Sequence, residues 1–335
     1  MSANTNPDVV VITGGSSGIG LSTAELFARK GWRVGLIARG KPALDAAEAS
    51  LVAGGATVVT CIADVTDSDA LRRAAATLET ALGPIKVWIN NAGVGVFGTF
   101  LDSSEAEFRR VTEVVYLGTV NGTRIALEHM RPRNAGTIVN VCSALGLRAA
   151  PLLSSYAGAK YAMRGFTEAV HSELLGERSR VHLTIVYPPS VNTPFYSHAT
   201  AHMDGLPRPP PPVYQPEIVA DAIHFAATNR RRDLQIGGQT VQIALLNQLA
   251  PALADRLLAT FGPRTLKSSN QGIADAHDAN LFSASTRVSS THGPFDKESV
   301  STSAQLWANK NRPGVGAALT FGIALCGLMV AGRRR

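Results

Sequence analysis

The sequence predicts an α/β fold, a doubly wound parallel sheet covered by helices on both faces. Three observations predict it. Short apolar runs alternate with amphipathic stretches from Asp8 to Thr228. The runs are almost unbroken in apolar residues, as strands buried on both faces are. Gly-containing turns punctuate the alternation where a chain must reverse.

Residues 8–13 read as the first strand, with Val9, Val10, Val11 and Ile12 in succession. Residues 21–30 read as a helix stopped by Gly31. A strand over 33–38 and a helix over 42–52, ended by Gly54-Gly55, come next. After a strand over 57–63, Asp67 caps a helix that runs to Leu82 and stops at Gly83-Pro84. Strand 85–90, helix 105–130, strand 137–142, helix 155–175, strand 181–187 and helix 216–228 complete the alternation. The pattern leaves the strand order open. Residues 190–216 form a long proline-rich connection, and loops of that length usually carry function.

The chain has 335 residues, 45% apolar and 17% charged, against a usual charged share of about 25%. Global disorder, collagen-like repeats and a disulfide scaffold are excluded. Cys61, Cys142 and Cys326 lie far apart, and the histidines have no ligand spacing, so no metal is expected. The formal charge is +7, of which residues 299–335 carry +5 with no acid. The near-neutral remainder argues against nucleic acid as a partner. The N-terminal stretch is polar and has no apolar run, which predicts no secretory leader.

Thr13-Gly14-Gly15-Ser16-Ser17-Gly18-Ile19-Gly20 joins the first strand to the first helix. Small residues let backbone approach a pyrophosphate, and a helix N-terminus offers unpaired N–H groups and a positive dipole end. The spacing is G-x-x-x-G-x-G, and no Lys-Ser/Thr pair makes it a P-loop. Arg39 ends the second strand, where NAD binders place an acid for the ribose 2′-hydroxyl; a guanidinium, helped by Lys41, suits a 2′-phosphate and so NADP(H). Asp64-Val65 ends the third strand, where adenine would lie. Asn91-Ala92-Gly93 ends the fourth, beside the nicotinamide ribose.

Ser143 closes the strand over 137–142, Tyr156 follows thirteen residues later, and Lys160 stands at i+4 from it. Residues i and i+4 share a helix face. An ammonium beside a phenol favours the phenolate, so Tyr156 is expected to titrate below its reference of about 10 and to exchange a proton with an alcohol or carbonyl oxygen. Ser143 can hydrogen-bond the same oxygen.

These motifs, in this order, resemble the short-chain dehydrogenases/reductases over residues 8–246, which implies a Rossmann-type domain binding NADP (NADPH). The resemblance implies Ser143, Tyr156 and Lys160 as the catalytic set, Tyr156 as acid/base, Lys160 on the nicotinamide ribose. It places the cofactor on Gly14, Ser16, Ser17, Gly18, Ile19, Gly20, Arg39, Asp64, Val65, Asn91, Ala92, Gly93, Tyr156, Lys160 and Thr193. A homodimer or homotetramer paired through the helix bearing Tyr156 is implied as well. Two residues depart from the family's pattern. Pro189 replaces a usual Gly in the loop 187–193. Val115 replaces an Asn that commonly bends its helix and positions water linking the lysine to solvent.

The function expected is interconversion of a lipophilic alcohol with a ketone or aldehyde. Phe97, Leu147, Leu152, Phe195 and Tyr196 are candidate pocket residues. The alternative is a nucleotide-binding, membrane-associated scaffold or redox sensor with weak or no catalysis, which Val115 motivates. Residues 247–312 read as a C-terminal extension. Residues 314–332 carry no charge and precede three arginines. Nineteen helical residues would span about 28 Å, near the hydrocarbon thickness. A membrane-anchoring helix over 313–332 is expected, with the catalytic domain in the cytoplasm.

Overall fold

All five residues of β1 (Val9–Thr13) are buried, because helices cover both faces of the sheet it centres. The computed structural model describes residues 7–268, 278–285 and 290–312. β2 (Arg33–Ala38), β3 (Val58–Ile62) and β4 (Ile85–Asn90) follow within the sheet. β5 (Val96–Gly98) stands outside it; β6 (Gly136–Val141) and β7 (Val181–Tyr187) return to it. β8 (Thr200–His202), β9 (Leu206–Pro207) and β10 (Val213–Tyr214) lie in the proline-rich connection, and β11 (Asp233–Gln235) adds the seventh sheet strand. The order is β11-β7-β6-β4-β1-β2-β3, parallel throughout. The fold is therefore a doubly wound, Rossmann-like sheet. Its connections reverse direction between β1 and β4 and open a crevice at the carboxyl ends of those strands.

Alternate strand residues feed two cores. On one face Val10, Ile12, Val34 and Leu36 pack with Phe27 of α1 (Gly18–Arg29) and Leu44 of α2 (Lys41–Ala53). On the other, Val9, Val11 and Ile37 pack with Leu71 and Leu78 of α3 (Ser68–Leu82). Asp67 caps α3 by accepting from the N–H groups of Asp69 and Ala70. The helix expected over 105–130 is present but interrupted: α4 (Glu105–Thr112) and α5 (Gly118–Met130) flank one π turn, Glu113–Leu117. Past it come α6 (Ser154–Gly176), the single turn α7 (Phe195–His198) and α8 (Pro216–Thr228), which packs against α1.

The C-terminal part holds more structure than its polar composition suggested. α9 (Gly238–Leu249) and α10 (Pro251–Thr265) form a bent pair. Arg148 ties them to the turn after β6, donating to Asn247 Oδ1 at 3.0 Å and to Asp255. β12 (Lys267–Ser268) pairs with β9, and β13 (Ser299–Val300) with β10, so the extension is stitched to the proline-rich connection. α11 (Ala304–Lys310) buries Leu306 beside α8, and Lys310 pairs with Asp221 of α8. Among the described residues no helix is long and apolar enough to cross a membrane. The anchor expected over 313–332 lies outside the described residues.

A polar chain runs through the centre of the apolar sheet. Trp88 Nε1 donates to Asn90 Oδ1 at 2.8 Å, and Asn90 Nδ2 donates to Asn140 Oδ1 at 2.8 Å. Asn140 Nδ2 in turn donates to Thr167 Oγ1 at 2.9 Å. Every member is buried, so an unpaired atom here costs the full desolvation of a polar group. Gly122 makes room for the chain, since a Cβ there would stand 2.0 Å from Asn90 Oδ1. Gly122→Ala must therefore push Asn90 out of its bonds. We expect it to destabilise the fold by about 2–4 kcal/mol, from overpacking plus a stranded amide. A thermal melt matching the parent would show that the chain has slack.

Candidate active site

The turn after β1 is built from residues that approach closer than side chains permit. Gly14 has φ +64°, and a Cβ on it would stand 2.8 Å from Ala92 Cα. Gly20 lies inside α1, where a Cβ would be 2.1 Å from the Gly14 carbonyl oxygen. Thr13 Oγ1 accepts from the backbone N–H of Asn91 at 3.1 Å, and Asn91 Nδ2 donates to the Gly14 carbonyl at 3.0 Å. The first turn of α1 is thereby aimed into the crevice, with Ser16, Ser17, Gly18 and Ile19 on the wall of a cavity of about 650 Å³.

The same cavity is lined by Gly14, Arg39, Asp64, Val65, Asn91, Ala92, Gly93, Ser143, Tyr156, Lys160 and Thr193. The fold thus gathers fourteen of the fifteen residues expected to hold the cofactor, together with Ser143, around one space. Gly20 is the exception: it does not line the cavity but lets α1 pack on the turn. Asn91 also differs from expectation, because its amide braces the glycine turn rather than standing open to a ribose. Lys41 pairs with Asp45 one helical turn on, at the surface.

At the Arg39 end of the cavity, Asp64 is enclosed by partners. Arg110 donates to Oδ2, while the N–H and hydroxyl of Thr66 donate to Oδ1 at 2.9 and 2.8 Å. Burial alone would raise its pKa, but the bonds from Arg110 and Thr66 bring it below the usual value. Arg39 Nη1 stands 3.8 Å from Asp64 Oδ2. The Arg39 guanidinium also donates to the backbone carbonyls of Asn280 at 2.5 Å, Leu281 at 3.3 Å and Ser283 at 3.5 Å. Neither Arg110 nor these C-terminal contacts were legible in the sequence. Arg110 sits in an Arg-Arg pair on a polar helix and matches no motif.

At the other end, Ser143 ends β6 and Tyr156 and Lys160 face it from α6. Ser143 and Tyr156 both line the cavity, and the Ala144 N–H donates to the Pro188 carbonyl at 2.8 Å. That bond ties the Pro-containing loop to the turn bearing Ser143. Burial pushes the Tyr156 phenol above its ordinary value; Cys142 and Tyr196 add to this, and Ser143 offsets only part. The expectation of a lowered phenol is overturned for this cofactor-free arrangement, and the geometry gives the reason. Lys160 Nζ donates to the Val141 carbonyl at 2.8 Å and lies 5.5 Å from the centre of the Tyr156 ring. Lys160 is itself buried, which brings its pKa down to about 8, with Cys142 acting in the opposite sense.

Phe97, Leu153, Phe195, Tyr196, Leu257 and Phe261 also line the cavity, and the Tyr156 and Phe195 rings are 5.5 Å apart. Of the five apolar residues expected near the substrate, Leu147 and Leu152 are packing residues instead. The residues that replace them come from α10, which the sequence pattern did not reveal.

A family model described as short chain dehydrogenase matches residues 8–204. The chain belongs to the short chain dehydrogenase family. A relative in Bacillus subtilis (strain 168), the uncharacterized oxidoreductase YxnA, is 39% identical over 252 residues, 75% of this chain and 71% of that protein. The dehydrogenase/reductase SDR family member 7B of Bos taurus is 30% identical over 272 residues, 78% of this chain and 83% of that one. A crystal structure of a short chain dehydrogenase/reductase from Burkholderia phymatum, in complex with NAD, aligns with a TM-score of 0.68 at 25% identity. That alignment covers 75% of this chain and 96% of the other. The family binds a nicotinamide cofactor, and the site can be tested for that fit. A deep cavity joins a helix N-terminus to a Tyr-Ser pair, walled by glycine and small residues, and this suits a dinucleotide.

At Val115, where the resemblance implies an Asn that bends its helix, the α-helical path is interrupted all the same. The π turn Glu113–Leu117 makes the interruption, with Thr119 Oγ1 donating to the Val115 carbonyl at 2.9 Å. Asn121 is directed elsewhere, its amide donating to the Val65 carbonyl at 3.0 Å.

In the cofactor-free protein Lys160 is charged below about pH 8 and neutral above it, since burial depresses its pKa. Titration of isotope-labelled lysines by NMR should show one amine with a midpoint near 8 that is missing from Lys160→Met. If every lysine titrated near the ordinary 10.5, the ammonium would be solvated.

Proposed function

We propose that this short chain dehydrogenase is an NADP(H)-dependent oxidoreductase that interconverts a lipophilic alcohol with its ketone or aldehyde. The observation that carries the proposal is that Tyr156, Ser143 and Lys160 share one cavity with the glycine turn and Arg39. A dinucleotide held by the glycine turn, the first turn of α1 and Thr193 would supply or take the hydride. Ser143 binds the substrate oxygen, and Tyr156 gives that oxygen its proton in reduction or takes it in oxidation. The raised pKa keeps the phenol protonated through the neutral range, the form that reduction needs. Lys160 holds positive charge beside the phenol below about pH 8 and can donate to ribose hydroxyls.

Arg39 supports NADP(H) over NAD(H), because a guanidinium, not an acid, ends β2 on the cavity wall. The Burkholderia protein carries NAD, so the two chains differ here under this reading. The aromatic and aliphatic lining beside Tyr156 supports a lipophilic substrate. Exposed Tyr161 on α6 and exposed Leu117 in the π turn support pairing of two copies through the helix bearing Tyr156. The uncharged run 314–332 followed by three arginines supports attachment to a membrane. The flanking charges do not decide orientation, and the catalytic domain is assigned to the cytoplasmic side because NADP(H) is intracellular. A second reading, a nucleotide-binding scaffold or redox sensor with weak or no catalysis, rests on Val115. Tight NADPH binding without turnover would favour it.

Purified protein given NADPH or NADH and a panel of aliphatic and aromatic carbonyls tests the proposal. Tyr156→Phe should lose activity by about 10²–10⁴-fold, the usual worth of a positioned acid/base. Arg39→Asp should move preference toward NADH. An unmoved cofactor ratio would sink the NADP(H) assignment, and a panel silent for parent and variant alike would sink the enzymatic one.

A further inference from the structure

The C-terminal extension crosses the carboxyl edge of the sheet, where the dinucleotide of the proposed function would lie. Leu281 is 2% exposed and packs in the core on the α3 side. Leu306 is 4% exposed and packs in the core on the α8 side. The two described stretches of this crossing, 278–285 and 290–296, touch the cofactor crevice along its length.

At the adenosine end the carbonyls of Asn280, Leu281 and Ser283 accept from Arg39, and Leu281 O also accepts from Arg110 at 3.2 Å. Over the glycine turn, the Gly18 N–H donates to the Ser290 carbonyl at 3.0 Å. At the nicotinamide-side loop, buried Asn192 accepts from the Phe295 N–H at 3.0 Å and donates to Asp296 at 2.8 Å. Phe295 is 3% exposed, and its ring meets that of Tyr196 edge-on at 5.9 Å. Nothing at Arg39 or Gly18 requires a protein carbonyl as partner; these are donors of the kind an anion takes.

Asn280, Ala284 and Ser285 line the same cavity as Gly14, Ser16 and Asp64. Residues 278–285 therefore form an outer wall of the cavity, while 290–296 lie against Gly18 and Asn192 beside it. A ligand as long as a dinucleotide, seated beneath, would be covered at both ends.

Building on the dinucleotide reading above, we propose that residues 278–285 and 290–296 are a cofactor-positioning strap. It holds Arg39 and Arg110 at the adenosine end, closes over the pyrophosphate position and limits how fast NADPH leaves. Leu281 and Phe295 are its two apolar anchors. Two features set the strap apart from ordinary tail packing. Its polar contacts fall on the residues that would hold the cofactor, and both its apolar anchors, Leu281 and Phe295, are buried against the body of the protein.

The test uses full-length protein and stopped-flow displacement of bound NADPH by excess NADP⁺, following nicotinamide fluorescence. Leu281→Ala and Phe295→Ala should each raise the NADPH dissociation rate tenfold or more. The KM for NADPH should rise with them while kcat falls less than twofold. Leu281→Met should restore the parent rate, and the cofactor-free melting temperatures should stay within a few degrees of the parent. Dissociation rates unchanged in both alanine variants would overturn the strap. Tighter binding in either variant would overturn it also, since the segment would then exclude the nucleotide. A parent protein that binds no dinucleotide overturns the proposed function together with the strap, whereas binding with an unaltered off-rate overturns the strap alone.

Discussion

Everything at the carboxyl edge of the sheet depends on how closely two backbone turns approach each other. The Gly14 turn and the Asn91–Ala92 end of β4 meet where a Cβ on Gly14 would stand 2.8 Å from Ala92 Cα. Thr13 and Asn91 then bind the turns together through side chain and backbone. Gly20 lets the first helix start against the same turn, so its N-terminal dipole end points into the crevice instead of across it. A larger residue at either glycine would move α1 away from β1, and the wall that could meet a pyrophosphate would go with it. The phenol and ammonium on α6 come from another part of the chain. They share a cavity with this wall because β6 and β4 are neighbours in the sheet.

At the chemical end, desolvation is the largest influence on both Tyr156 and Lys160. Moving Lys160 from 10.5 to about 8 corresponds to about 3 kcal/mol against its charged form. Two charges about 5–6 Å apart at an effective dielectric near 20 attract by about 3 kcal/mol, a comparable magnitude. The Lys160 ammonium donates to the Val141 carbonyl, however, and not to the phenol, so the phenol gains no hydrogen bond from it. Spacing alone placed Tyr156 and Lys160 on one face correctly. It could not say which acceptor the amine would choose, or that Cys142 and Tyr196 would crowd the phenol. Any ribose oxygen that reaches Lys160 Nζ favours its charged form, so charging of the amine and seating of a dinucleotide reinforce one another.

Strand and helix periodicity made the seven principal elements of the nucleotide-binding half legible, and the Asp67 cap was readable as a local rule. Strand order was not, since period says nothing of neighbours. β11 was missed because Asp233–Gln235 is three residues long with one buried side chain. α9 and α10 were missed because their apolar residues do not all face a core; Leu249 is 83% exposed. The glycine turn and the Tyr-Lys pair were legible because each is a short-range pattern with a physical cause. Arg110 and the C-terminal carbonyls that meet Arg39 were not, because their partners lie 46 to 244 positions away in sequence and a backbone carbonyl carries no residue code.

Val115 separates two roles that one Asn side chain usually fills together. Bending the helix needs only a widened turn and a place for it to go. The π turn Glu113–Leu117 gives the first, and Gly118 the second, because a Cβ there would stand 2.5 Å from Val65 Cγ2. The bend therefore survives on backbone and glycine alone, and Val114 still reaches the cavity wall. Passing a proton between Lys160 and solvent needs polar atoms, and Val115 is fully buried and has no polar side-chain atom. Asn121 is committed to the Val65 carbonyl and serves the adenosine side of the site. Under the proposed function, a valine here bears on the return of a proton to the amine, because Val115 offers no polar side-chain atom for it. Hydride geometry, set by the glycine turn and by β6, is independent of it.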